Sequence, residues 1–74
     1  MSNEDIMEVL ADDQMKYGKP IREIGVEIDG LAIEGEAWHS CLPILSAADR
    51  AEFWKIYYAN WFSLSLEKRY QLTH

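Results

Sequence analysis

A chain of 74 residues with 49% apolar and 27% charged side chains is long enough for one domain, residues 1–74, and too hydrophobic to be disordered. A core of this size buries roughly 60% or a little more of the unfolded surface and rarely supplies more than about 3–5 kcal/mol of net stability. With Cys41 alone, no internal disulfide adds to that core, and the net charge of −6 disfavours phosphate backbones as ligands while permitting a basic partner.

The charge is unevenly spread. Residues 1–36 hold ten acids against three bases, whereas residues 37–74 hold three acids against four bases and eight of the nine aromatics. The acidic start, Met1 to Asp5, lacks the basic region of a secretory signal. Lys55 and Asn60 interrupt the longest aromatic run, so no membrane span is expected. A lone cysteine fits a reducing cytoplasm.

The first predicted element is a helix over residues 3–17. Ser2 and Asp5 form a capping-box pattern. Ile6, Val9, Leu10 and Tyr17 approximate an apolar stripe, with Met7 and Met15 at its edges. Gly18 and Pro20 end it.

Residues 21–38 read as a β-hairpin. Asp29-Gly30 between β-branched residues supplies the positive φ angles that a type I′ turn requires. The register of a two-residue turn pairs Ile28 with Leu31, Val26 with Ile33 and Ile24 with Gly35. It puts the five large apolar residues on one face, a consistency that a wrong register destroys. The other face carries Glu23, Glu27, Glu34 and Glu36, with Glu23 directly across from Glu36. Like charges so placed repel, and a cationic surface laid over them relieves that repulsion.

Residues 41–45 form a short apolar connection. Ser46 then caps an aromatic helix from Ala47 to about Phe62, with Asp49 as the reciprocal cap. Its polar strip is narrow, and its apolar arc far exceeds the 100° or so that a one-sided helix needs. Phe53, Ile56, Tyr57 and Asn60 are expected to cover the hairpin, since a two-stranded ribbon is not stable alone. That leaves Trp54, Tyr58, Trp61 and Phe62 as an expected exposed strip, large for a monomer and suited to a homodimer seam or a docking site. A short last helix, Leu66 to about Leu72, capped by Ser65 and facing inward through Leu66, Tyr70 and Leu72, is the element that would otherwise cover it. One continuous helix over 47–72 is the alternative. The whole reads as a small α+β domain: helix, hairpin, aromatic helix, short helix.

Chemical motifs are sparse. His39 and Cys41, two apart on a strand, would share a face, and a Cys–His nucleophile pair or a redox-sensitive thiol is the enzymatic alternative; no orienting group or oxyanion hole accompanies them, and a buried cysteine beside a boundary histidine is the simpler reading. Cys41, His39 and His74 lack zinc-site spacing. Glu27, Asp29, Gly30 and Glu36 occupy four places of a calcium loop, but Gly25 stands at its first, ligating place, and the hairpin explains the same residues better. No phosphate-binding or dinucleotide glycine pattern occurs, so no metal, cofactor or catalytic residue is assigned.

Two binding readings follow. Exposed aromatics on the helix could stack single-stranded bases, yet the basic groove that such platforms use is missing. The favoured expectation is a non-enzymatic interaction protein. Its candidate surfaces are Glu23, Glu27, Glu34 and Glu36 with Asp12 and Asp13 on one side, and Trp54, Tyr58, Trp61 and Phe62 on the other. Glutamates on a rigid ribbon can imitate a phosphate array, as small acidic inhibitors of nucleic-acid-binding proteins do, phage and mobile-element inhibitors among them. This is physical analogy; a solvated acidic face is the plainer alternative.

Overall fold

The computed structural model describes residues 3–74, with side chains from Met7 onward. Helix α1 (Asn3–Tyr17) ends where Gly18 donates its N–H to the Gln14 carbonyl at 2.9 Å. The expected Ser2–Asp5 cap lies outside the described residues. Leu10 and Tyr17 pack on the core, while Met7 and Met15 stand exposed.

Strands β1 (Val26–Ile28) and β2 (Leu31–Ile33) pair antiparallel, Val26 with Ile33, Glu27 with Ala32 and Ile28 with Leu31. Asp29 and Gly30 both have positive φ, 50° and 82°, which defines the type I′ turn and matches the twist of the strands. Ile24, Val26, Ile28 and Ile33 are buried; Leu31, at the tip, is 40% exposed.

The ladder is shorter than the sequence pattern implies. Gly35 turns to φ 58° and donates its N–H to the Arg22 carbonyl at 3.1 Å, so it does not sit opposite Ile24. Ala37 then donates to the Glu34 carbonyl, and the chain enters α2 (Trp38–Cys41) and a 3₁₀ turn, Leu42–Ile44. The expected Glu23–Glu36 opposition is therefore absent. Trp38 and Leu42, one helical turn apart, are 2% and 1% exposed and anchor this connection to the core.

Helix α3 (Ala47–Ser63) starts at Ser46, whose hydroxyl accepts the Asp49 N–H at 3.1 Å. Leu64 and Ser65 are extended, and Ser65 accepts the Lys68 N–H to open α4 (Leu66–Thr73). The stretch 47–72 is thus two helices, not one. Phe53, Trp54 and Tyr57 are buried, α3 lies along β1, and Asn60 donates its side-chain amide to the Gly25 carbonyl at 3.0 Å. The expected inward face of α4 is corrected: Leu72 packs on the core, while Leu66 and Tyr70 are 76% and 64% exposed. No helix among the described residues is long and apolar enough to cross a membrane.

Candidate interaction site

Helix α3 lies along β1, and the side of its aromatic face around Trp54 is covered by side chains from the end of α1. Tyr17 stacks on Trp54 with ring centroids 5.0 Å apart. The Trp54 indole N–H donates to Asp13 Oδ2 at 3.3 Å, and Arg50 Nε lies 3.6 Å from the same oxygen. The Tyr58 hydroxyl donates to the Tyr17 carbonyl. The expected exposed strip is thereby corrected: Trp54 is 1% exposed, Tyr58 and Trp61 are half-buried, and only Phe62, at 65%, faces water as expected. The reason is a long-range one, since a stacked tyrosine and a carboxylate partner from α1 satisfy both the ring and the N–H of Trp54. Asp13 is thus committed within the chain, whereas Asp12 on the next position is exposed.

At the C-terminal end Phe62, Leu66 and Tyr70 are exposed, as Met7, Met15, Leu31 and Ile44 are elsewhere. The Arg69 guanidinium sits 5.7 Å from the Phe62 ring centroid, a cation–π geometry that ties α4 to the end of α3. Tyr70 stacks on His74.

Deeper in, the Ile21 N–H donates to the Tyr57 hydroxyl at 3.0 Å. Burial pushes the Tyr57 phenol above its ordinary value; the Ile21 hydrogen bond opposes that rise, and neighbouring Tyr58 adds to it.

The acidic face divides in two. Glu27 and Glu34 stay together on the outer side of the hairpin, over Gly25 and Ala32. With Ile56 and Asn60 of α3 they line a shallow cleft of about 390 Å³. Glu34 lies across Gly25: a Cβ at that position would come within 3.2 Å of Glu34 Cγ and would make this exposed side chain shift by a few tenths of an ångström. Among the described residues no cation comes within salt-bridge distance of Glu27 or Glu34. Glu23 lies apart, facing Lys68 and Leu72 across a second cleft of about 330 Å³. Glu36 sits in the turn before α2, 3.9 Å from His39 Nε2.

His39 and Cys41 do not share a face. They lie on α2, where two positions are a half-turn and more apart, and the strand that would align them is absent. The His39 ring stacks on Trp38 with centroids 3.7 Å apart, and Cys41 is half-buried. The calcium-loop stretch is the hairpin itself.

Sequence reasoning placed Ile56 and Asn60 on the hairpin-facing flank but missed that they wall the acidic cleft. Asn60 gave a signal: an amide on the hairpin-facing flank of an apolar helix needs a backbone partner. No family model, curated protein or solved structure matches the chain.

Proposed function

We propose that this protein is a small, non-enzymatic interaction protein that binds a basic protein surface through the outer face of its hairpin. The observation that carries the reading is the exposed Glu27–Glu34 pair, held over Gly25 and Ala32 with no cation in salt-bridge distance among the described residues. Carboxylates with no internal partner retain their full field for an incoming charge, which raises on-rate and favours basic partners over acidic ones. Masking the basic nucleic-acid-binding surface of its partner is the mode of action that this chemistry suits, as an inhibitor or decoy. A reducing cytoplasm, where a lone half-buried Cys41 stays a thiol, is the setting proposed.

The test is affinity capture from the native cell at low and moderate salt, with the wild-type chain and a Glu27→Gln/Glu34→Gln variant as baits. A basic protein held by the wild type at low salt, released at moderate salt and lost with the variant is expected. Equal retention by both baits overturns the reading.

A second reading, self-association, is favoured by the exposed Phe62, Leu66 and Tyr70. It predicts a dimer mass in sedimentation at high micromolar concentration that reverts to a monomer on Phe62→Ser; a monomer in both overturns it.

A further inference from the structure

The hairpin has an open edge. In a two-residue hairpin the residues flanking the turn exchange both backbone hydrogen bonds, and the next pair exchanges none. Ile28–Leu31 and Val26–Ile33 are the bonded pairs in this register, and Ala32 turns its N–H and C=O away from β1. Neither group has a partner among the described residues, and the same holds for the Glu34 N–H. The β1 side is flanked by α3. Ala32 on the β2 side is exposed, and Leu31 beside it is 40% exposed.

The geometry points to strand addition: β2 receives an extended segment of a basic partner as a third, antiparallel strand. This rests on the reading that the acidic face takes a basic partner, and it specifies how. The residue that bonds Ala32 shares a face with Ala32, Glu27 and Glu34, so lysine or arginine belongs there. Its two neighbours point to the opposite face, beside Leu31 and Ile33, where a β-branched residue covers the exposed part of Leu31. The segment recognised is therefore one that alternates basic and β-branched residues. Backbone bonds supply part of the affinity and the charges supply the choice of partner. A second copy is disfavoured as the occupant, because pairing two β2 edges brings the Glu27–Glu34 faces of both chains together.

The test is an NMR titration of the full chain with a capped peptide of alternating lysine and valine at low salt. The comparator is the same peptide with every lysine methylated on its backbone nitrogen, which keeps each charge and removes the donor that Ala32 accepts. Slowed exchange of the Ala32 and Glu34 amide protons, and an affinity about tenfold or more weaker for the methylated peptide, are expected. Equal affinity of the two peptides, unchanged exchange at Ala32, or no binding of either overturns strand addition. Loss of binding with Glu27→Gln/Glu34→Gln but not with methylation would leave the charge reading standing and remove only the strand.

Discussion

Replacing Asp13 with alanine tests the packing that separates this fold from an exposed aromatic helix. The substitution removes the acceptor of the Trp54 indole N–H and the partner of Arg50 in one step. Trp54 is 1% exposed, but a cleft of about 160 Å³ lined by Asp13, Arg50 and Trp54 opens at this point. Water therefore partly replaces the lost acceptor, and the cost falls at the lower end of the range of about 1–3 kcal/mol for an unsatisfied buried donor. The Arg50 pair, partly shielded, adds less than about 1 kcal/mol. A total of about 1–2 kcal/mol is a large share of the stability of a domain this small. At about 4–8 °C per kcal/mol for such sizes, Tm falls by roughly 5–15 °C. Asp13→Asn separates the two contributions: the amide oxygen still accepts the indole N–H, and only the ion pair is lost, so the decrease stays under about 1 kcal/mol. Urea unfolding followed by tryptophan fluorescence gives both values. Asp13→Ala within about 0.5 kcal/mol of wild type, the range of unremarkable surface changes, would refute the docking of α1 over Trp54 and return Asp13 to the list of free interaction residues.

Other substitutions probe the remaining elements. Gly30→Ala forces a side chain onto φ 82° and should cost about 1–2 kcal/mol, read by denaturant titration. Ser46→Ala and Ser65→Ala each delete a hydroxyl that accepts a first-turn N–H and should each cost about 0.5–2 kcal/mol; a loss of far-UV helical signal confined to Ser65→Ala would locate it in α4. The raised Tyr57 pKa makes stability fall at high pH. Above the ordinary value of 10.0 the unfolded phenol releases its proton while the folded one keeps it, so the unfolded state gains. Tyr57→Phe should flatten that alkaline decline, measured as midpoint against pH.

The hairpin was legible because its signal is local. Asp29-Gly30 dictates the turn, and alternation from Val26 to Ile33 dictates the faces. Ser46 and Ser65 marked the starts of α3 and α4 for the same reason, since a cap needs only its own first turn. The extended register failed where Gly35 leaves the ladder at φ 58°; a glycine inside a strand pattern signals such a break, but the one-face alternation across it outweighed that signal. Helix α2 was missed because four residues, Trp38–Cys41, are too few to show a period. The burial of Trp54 depends on Tyr17 and Asp13, which lie 37 and 41 residues away in sequence, so helical periodicity could not reveal it. The faces of α4 were misjudged because Lys68 and Leu72, not Leu66 and Tyr70, line the cleft toward Ile24. Of the candidate site, Glu27 and Glu34 kept the shared face that strand alternation gave them, while Glu23 and Glu36, beyond the last ladder pair, separated.

The most direct measurement of the central claim is zero-length carbodiimide cross-linking in the native lysate, which joins a carboxylate only to an amine in contact with it. Cross-links from Glu27 and Glu34 to lysines of one basic protein are the expected result. Cross-links drawn evenly from exposed acids such as Asp12, Glu52 and Glu67, with none enriched at the hairpin, would contradict it.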